Sequence, residues 1–449
     1  MRMFDTVQPV EKYLDTELEC SCGRTHYVPI KAVEIGPGAI EKLPEYVLKF
    51  GYKKPLIVCD DITYRIAAQR CAQLLEAAGV DYTVCRLKHL GFDEATLGEI
   101  VVTMPADCDL MIAVGTGSIT DMIRFTSFKL RLPCFTVATG APMDGFAASI
   151  GIVNVNNLKA TMPAHCTELI IGDTNILETA PYRMTVAGFG DLIGKLTCLN
   201  DWELARIINN EHYCEKIVAF VKNCVEDVLK ESQGLKERRG DVLGRIMKGL
   251  VISGAAISLY GDSRPASGAE HHMSHYWETI MEQRGESHAM HGEQVAVGTV
   301  LVLMLAEELR KLRPDFDKAR AFARGFDKAA WVKEIERSYG SAAGEVFEIE
   351  AKAGKNDPEK VLARIDSMEK NWDAIVAQLK TLPSSESLRA LLEDVGCPAT
   401  PAAIGVDDAT LKDTFLYCKE VRPRYTVFQT VYDLGLMDEL SDRVIARLK

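Results

Sequence analysis

Three histidines fall within five positions of the segment SGAEHHMSHYWE, residues 267–278, although the 449-residue chain has only nine histidines. They are His271, His272 and His275. On a helix His271 and His275 share one face, whereas His272 lies about 100° further round. Two imidazoles on one face can be two metal ligands, or one ligand and one substrate contact. The spacing therefore indicates a metal or active site on a predicted helix.

Two other segments offer the further ligands that a metal would need. GFGDLIGK contains Asp191, and AMHGEQVAVG contains His291. One carboxylate and two imidazoles with an open coordination position suit a catalytic divalent metal. Lys195 follows Asp191 by four residues and so shares its predicted helix face.

A second candidate site surrounds the turn GTGS, residues 115–118, which joins an apolar run to a predicted helix. Glycines let the backbone approach a ligand closely, and a helix N-terminus offers N–H groups to phosphate. Asp60 ends an apolar run more than fifty residues earlier, an order unlike the usual dinucleotide fingerprint. If both bind one dinucleotide, Asp60 contacts the adenosine ribose and the turn holds the pyrophosphate. Otherwise Asp60 is a helix cap, and GTGS is a plain tight turn.

The first part of the chain alternates between strand-like and helix-like patterns. Strands are predicted at residues 28–35, 55–60, 81–87, 109–115 and 133–139, and helices at 63–78, 93–103 and 120–130. Short apolar runs separated by helices are typical of a parallel sheet covered on both faces. We therefore predict an α/β dinucleotide-binding domain over residues 1–180.

Long helical patterns dominate the rest of the chain, at residues 186–209, 215–231, 244–260 and 291–312. They predict an all-α domain over residues 181–449 that binds metal and substrate. Residues 340–386 are richer in charge and are predicted to be a helical surface insertion.

Composition limits the classes of partner. The formal net charge of −12 argues against nucleic acid, because phosphate backbones bind basic surfaces. The first nineteen residues have no continuous apolar run and do not predict a signal peptide, and the most apolar stretch, residues 295–306, is too short to span a bilayer. Thirteen scattered cysteines favour reduced thiols in a cytoplasm over a disulfide framework.

The segment CSCGRTH, residues 20–26, has a spacing that is poor for a structural zinc finger, and no second cysteine pair follows nearby. A hairpin or loop that leads into the strand at 28–35 is predicted there instead. His165 is predicted to be structural.

Several segments together resemble one family. They are VCDDITY, GTGSITDMIRFTSFKLRLP, VATGAPMDGFAAS, PAHCTELIIGD, APYRMTVAGFGDLIGK, SGAEHHMSHYWE, MHGEQVAVGT and RYTVFQTVYDLG. They are similar to segments of the iron-containing alcohol dehydrogenase and glycerol dehydrogenase superfamily. The closer resemblance is to its sn-glycerol-1-phosphate dehydrogenase branch, including the AraM-like bacterial members. It implies a dehydroquinate synthase-like or glycerol dehydrogenase-like fold, with an α/β N-terminal domain and an all-α C-terminal domain.

The resemblance also implies roles for individual residues. By position, Asp191, His271 and His291 match metal ligands, and His275 and Asp144 match substrate contacts. The dinucleotide site is matched by Asp60, Gly115, Gly117, Ser118, Ile119, Thr120, Asp121, Thr139, Gly140, Ala141 and Pro142. Ala148 replaces the serine usual in the branch and is carried over only as a cofactor contact to be tested. Lys195 replaces a fourth ligand, histidine, of the iron enzymes, which favours zinc, or alternatively nickel.

The expected activity is the NAD- or NADP-linked interconversion of sn-glycerol 1-phosphate and dihydroxyacetone phosphate. The alternatives are a glycerol dehydrogenase, a dehydroquinate synthase-type lyase or a non-catalytic binding protein. Lys195 and Arg264 are the candidate phosphate partners, and glycerol becomes the better substrate if neither reaches it. A cytoplasmic homo-oligomer, a dimer or larger, that binds no nucleic acid and spans no membrane is expected.

Overall fold

A computed structural model of the protein describes residues 2–4, 9–155 and 158–448. The chain packs into two compact units. Unit 1 comprises Met1–Leu192 and Glu215–Ser263, and unit 2 comprises Ile193–Cys214 and Arg264–Lys449. Each unit is built from two separate segments of the chain, whereas the domains predicted from the sequence, 1–180 and 181–449, are continuous. Those domain boundaries remain a prediction.

The described strands all lie in unit 1. They are β1 (Arg2–Met3), β2 (Leu18–Glu19), β3 (Thr25–His26), β4 (Ala32–Gly36), β5 (Pro55–Cys59), β6 (Thr83–Arg86), β7 (Leu110–Gly115), β8 (Cys134–Ala138), β9 (Ile150–Val155), β10 (Leu158–Pro163) and β11 (Leu169–Asp173). Six of them form a parallel sheet in the order β4-β11-β8-β7-β5-β6. β9 and β10 form a separate antiparallel hairpin.

Helices cover both faces of this sheet, as the pattern of short apolar runs predicted. The helices of unit 1 are α1 (Leu43–Lys49), α2 (Asp61–Thr63), α3 (Gln69–Ala77), α4 (Glu94–Thr103), α5 (Gly117–Leu130), α6 (Thr174–Leu177), the first part of α7 (Tyr182–Asn209), α8 (Glu215–Lys230) and α9 (Gly240–Tyr260). In β5, Leu56 and Val58 join one buried cluster, whereas Ile57 joins the other. Both faces of the strand are therefore core, which explains why its sequence is uniformly apolar.

The described residues of unit 2 form helices joined by loops, with no strand among them. It contains the second part of α7, followed by α10 (Ala269–Gln283), α11 (His291–Leu309), α12 (Phe316–Arg324), α13 (Lys328–Tyr339), α14 (Ala343–Ala353), α15 (Pro358–Leu379), α16 (Ser385–Asp394), α17 (Asp408–Tyr417), α18 (Val427–Asp433) and α19 (Met437–Leu448). The apolar stretch at 295–306 is the buried middle of α11, as predicted. Among the described residues only α9 is long and apolar enough to cross a membrane, and 78% of that window is buried, as in a core helix.

The first half of α7 packs against the loop after β8 through a contact between backbones. A Cβ atom at Gly188 would lie 1.9 Å from the carbonyl oxygen of Ala141, so the helix can approach this loop only with glycine there. The loop Thr139–Pro142, predicted to bind the dinucleotide, is thereby held against α7.

We predict that Gly188→Ala destabilises the protein by about 1–3 kcal/mol, because a backbone clash must be relieved by moving the helix or the loop. The thermal midpoint should fall, and the KM for NAD should rise because Ala141 moves. Gly98→Ala in α4 is the matched control, since no atom lies within 4 Å of its added Cβ and alanine favours the helix. Equal midpoints for the two variants would contradict this account of Gly188.

Candidate active site

The glycine turn of unit 1 lies where two neighbouring parallel strands end. β7 ends at Gly115 and α5 begins at Gly117, and the amide of Thr139, after β8, donates to the carbonyl oxygen of Gly115 at 3.0 Å. Thr116 precedes α5 without forming a side-chain cap bond in the described structure. The first N–H groups of this fourteen-residue helix therefore suit an anionic ligand. The turn and the loop Thr139–Pro142, which were predicted to bind the same dinucleotide, are therefore adjacent in the structure.

Residues further along α5 have packing roles. Asp121 is buried, forms an ion pair of 2.5 Å with Arg124 and accepts from the amide of Ile152 at 3.0 Å. Arg124 also donates to the carbonyl oxygen of Ala148. Burial raises the pKa of the Asp121 carboxyl, and Arg124 opposes this shift. Asp121 and Ala148 thus fix the loop between β8 and β9 in the structure, while their contact with a cofactor remains a prediction.

Asp60 is the N-cap of α2. Its Oδ1 accepts from the amides of Ile62 at 2.8 Å and Thr63 at 2.7 Å, and the Thr63 hydroxyl bonds back to the Asp60 amide. The capping alternative considered for Asp60 is therefore realised. Both capping bonds from the amides end on Oδ1. The predicted contact of Asp60 with the adenosine ribose would therefore use Oδ2, at the carboxyl end of β5.

Asp144 and Asp191 also meet within unit 1. The backbone amide of Asp144 donates to Oδ2 of Asp191 at 2.9 Å, and the Asp144 carboxylate accepts from the hydroxyl of Ser253 at 2.7 Å. Asp191 is fully buried on α7. A buried carboxylate needs compensation, and part of it comes from this amide.

In unit 2, α10 and α11 bring together three of the four histidines noted in the sequence. The ring centroids of His271 and His291 are 5.2 Å apart, those of His275 and His291 are 5.6 Å apart, and those of His271 and His275 are 6.2 Å apart. His291 is the first residue of α11. The predicted sharing of one helix face by His271 and His275 agrees with this cluster.

Glu270 fixes the orientation of His271. Its Oε1 lies 2.8 Å from Nδ1 of His271, and it accepts from the amide of Gly268 at 2.7 Å and the hydroxyl of Thr197 at 2.6 Å. Because the carboxylate accepts, Nδ1 carries the hydrogen and the lone pair lies on Nε2, as in carboxylate–histidine–metal arrangements. Sequence reasoning missed Glu270, although an acid directly before the first histidine was the available signal.

Glu278 lies between the other two histidines. Its carboxylate oxygens are 3.4 Å from Nδ1 of His291 and 3.6 Å from Nδ1 of His275. The ligand atoms of His275, Glu278 and His291 lie within 4.8 Å of one another, so they form a competing candidate ligand set. Burial lowers the pKa of His275 to about 4, with Glu278 opposing the shift, so this imidazole is neutral at pH 7.

His272 does not join the cluster. It is fully buried, and neither ring nitrogen has a hydrogen-bond partner among the described residues. Burial lowers its pKa well below the ordinary value, so the ring is neutral. His272 therefore meets protein, not solvent, and fills space in the core.

Both proposed phosphate partners are buried and bonded within unit 2. Nζ of Lys195 donates to the carbonyl oxygen of Ala266 at 2.9 Å. Arg264 forms an ion pair of 2.8 Å with Glu211 and donates to the carbonyl oxygen of Tyr425 at 2.8 Å. Their structural bonds argue against the phosphate role considered for them. Arg422 is a further cation of unit 2, and its charge contributes to the lowered pKa of His275.

Known proteins resemble this chain over most of its length. A family model for iron-containing alcohol dehydrogenases matches residues 34–181. A glycerol-1-phosphate dehydrogenase, NAD(P)+-dependent, from Halalkalibacterium halodurans is 29% identical over 416 residues, which cover 91% of this chain and 94% of that protein. One from Methanosarcina mazei is 33% identical over 281 residues, covering 61% of this chain and 76% of that protein. The crystal structure of a probable glycerol dehydrogenase from Sinorhizobium meliloti 1021 superposes with a TM-score of 0.61 at 16% identity, covering 93% and 98% of the two chains.

The curated relatives, with the matched family model, define the class as an oxidoreductase of the iron-containing alcohol dehydrogenase type. Within that class, the chain belongs to the glycerol-1-phosphate dehydrogenase family. The fold and the family predicted from the sequence are confirmed. The roles of the individual site residues remain predictions.

The three histidines of α10 give a test of those roles. We predict that His271→Ala loses one equivalent of metal and nearly all activity, and that His275→Ala keeps its metal but loses ~10²-fold in turnover if it also moves a proton. His272→Ala should stay active but lose about 2–4 kcal/mol of stability, because it leaves a buried cavity. His272→Leu should recover most of that loss.

Metal content, thermal midpoint and steady-state kinetics of the four variants decide the assignment. Loss of metal from His275→Ala with retention in His271→Ala would instead favour the set His275, Glu278 and His291.

Proposed function

We propose that the protein interconverts sn-glycerol 1-phosphate and dihydroxyacetone phosphate with NAD or NADP. The relatives of similar length carry this activity in their names, with NAD(P)+ as cofactor. The observation in the structure that carries the proposal is the buried His271, held by Glu270 with its lone pair on Nε2, beside His291. A small substrate oxygen is the group that such a site would bind.

We propose Asp191, His271 and His291 as the ligands of a divalent metal. Gly194 supports the inclusion of Asp191, because its ideal Cβ would lie 3.7 Å from Cε1 of His271, so α7 passes close to that ring. Asp191 precedes Gly194 by three residues and so shares its helix face. A carboxylate and two imidazoles fit zinc, and nickel is the alternative. When bound, the metal supplies Lewis acidity at the substrate oxygen.

The surrounding residues bind and orient the substrate in this proposal. Asp144, held by Ser253 and by its own amide bond to Asp191, orients the substrate hydroxyls. His275 is neutral and exchanges a proton with the substrate oxygen, directly or through water. The nicotinamide cofactor carries the hydride, and the residues of unit 1 position its pyrophosphate at the start of α5.

The substrate phosphate needs a cation, and we propose Arg422 for it. Arg422 follows the short turn Cys418–Val421 and is partly exposed. Burial lowers its pKa, while the carboxylates of Glu345 and Glu278 oppose the shift. Glycerol is the second candidate substrate, because Lys195 and Arg264 hold structural bonds instead of facing a phosphate.

The remaining parts of the proposal concern the setting of the enzyme. We propose a homo-oligomer, a dimer or larger, in the cytoplasm. The thirteen cysteines scattered along the sequence favour such a reducing compartment over an oxidising one.

The substrate is tested by following NADH oxidation with dihydroxyacetone phosphate and with dihydroxyacetone on metal-reconstituted protein. We expect a strong preference for the phosphorylated ketone and a product of the sn-1 configuration. Arg422→Met should raise the KM for dihydroxyacetone phosphate by roughly 10-fold or more, as loss of a charged hydrogen bond does, without changing that for dihydroxyacetone. Arg389→Met, which removes an exposed cation paired with Glu393, is the control. A wild-type preference for dihydroxyacetone or glycerol would move the assignment to glycerol dehydrogenase.

Two substitutions of Asp60 test the cofactor site, because they distinguish its role as the N-cap of α2 from the role of its negative charge near the cofactor. Asp60→Asn keeps the cap, so stability should hold, while the preference for NAD over NADP should narrow because the charge facing a 2′-phosphate is lost. Asp60→Ala should also lose about 1 kcal/mol of stability and raise the KM for NAD roughly 10-fold.

Asp327→Ala is the matched control, because Asp327 caps α13 through the amides of Ala329 and Ala330. It should lose similar stability with unchanged cofactor constants. Cofactor constants that stay at wild-type values in both Asp60 variants would show that Asp60 is only a cap.

A further inference from the structure

The hairpin formed by β2 and β3 brings together three side chains that the active site does not use. Its turn, Cys20–Gly23, is closed by a bond of 3.0 Å from the Gly23 amide to the Cys20 carbonyl oxygen, and Gly23 has a φ of +85°. This left-handed residue turns the chain back so that His26 on β3 faces the turn. The ligand atoms of Cys20, Cys22 and His26 lie within 4.8 Å of one another.

His26 is held as a metal ligand would be. It is 1% exposed, and its Nδ1 lies 2.7 Å from the carbonyl oxygen of Leu259 on α9. A carbonyl oxygen only accepts, so Nδ1 carries the hydrogen and the lone pair lies on Nε2. Nε2 is directed at Sγ of Cys22, 3.3 Å away.

These distances match the dimensions of a zinc site. Zinc–sulfur and zinc–nitrogen bonds in a tetrahedral site place the sulfur and nitrogen atoms about 3.5 Å apart. The 3.3 Å between Nε2 of His26 and Sγ of Cys22 is close to this value.

We propose that Cys20, Cys22 and His26 hold a structural zinc ion within unit 1. Within unit 1, α8 packs on the same N-terminal segment, since the rings of Phe220 and Tyr13 are 5.2 Å apart. Thiolate and imidazole are the usual ligands of structural zinc, and the proposed reaction uses none of these three side chains, so we assign this ion a structural role.

The site has a clear structural task. β1, β2 and β3 form a three-stranded sheet that pairs over only two residues per strand, and sheets this short are marginal in water. A metal that joins the turn to His26, which is bonded to α9 at Leu259, would hold this segment in place. The spacing of CSCGRTH alone did not predict this site, because the orientation of His26 depends on the distant Leu259.

Cobalt substitution of the full-length protein tests the proposal. Cobalt bound to thiolate gives a near-ultraviolet charge-transfer band, which the proposed Asp191, His271 and His291 site cannot give because it has no sulfur ligand. Wild-type protein loaded with cobalt should show the band, and zinc should displace it. Cys20→Ser and Cys22→Ser should weaken or abolish it, and Cys108→Ser, at a partly buried cysteine that bonds the Leu110 carbonyl oxygen, should retain it. His271→Ala should retain the band while losing the other metal, so the two proposals fail independently.

A second measurement does not depend on how the variants fold. Cys20 and Cys22 are partly exposed, so alkylation of the wild-type protein should be slow with zinc and fast after chelation, as mapped by mass spectrometry. Absence of the band together with labelling that ignores zinc would overturn the proposal, as would a disulfide between these cysteines in the purified protein.

Discussion

The position of the histidine cluster depends on two buried carboxylates at the start of α10. Asp201 on α7 accepts from the amide of Ala269, the first residue of α10, at 2.7 Å, and from the amide of Val427, the first residue of α18, at 2.8 Å. Glu270 then bonds the amide of Gly268 and the ring of His271. Because unpaired helix N–H groups are costly when buried, these bonds fix where α10 begins and therefore where His271 points.

This arrangement also has an electrostatic cost. Burial raises the pKa of Asp201 to about 7, and the negative charge of Glu270 adds to this shift. Glu270 differs, because its own bonds to His271 and Thr197 lower its pKa despite burial. A carboxyl whose pKa is raised in the folded state favours folding less as pH rises from about 4 to 7. This loss of stability arises at the helix that carries the candidate metal ligands. Strongly shifted pKa values of this kind are common at functional sites.

In unit 1 the main constraint is the close approach of the α7 backbone to the loop after β8. Gly188 lets α7 pack on the loop at Ala141, and the turn at Gly115 joins β7 to α5 where that loop begins. A side chain at residue 188 would push α7 away from the loop at Ala141, and one at residue 115 would clash with Ile119 in α5. The buried pair of Asp121 and Arg124 secures the next loop.

The sequence by itself determined the local structure and the chemical inventory. Alternating apolar runs predicted the parallel sheet, because its strands are buried on both faces, and the i, i+4 spacing predicted that His271 and His275 would cluster. Only the tertiary structure showed that Glu270 orients His271, that Glu278 lies between His275 and His291, and that Lys195 and Arg264 are tied up in structural bonds. It also brought His26 against Cys22 and Leu259. Such contacts depend on how distant segments pack, and neither residue spacing nor propensity encodes that.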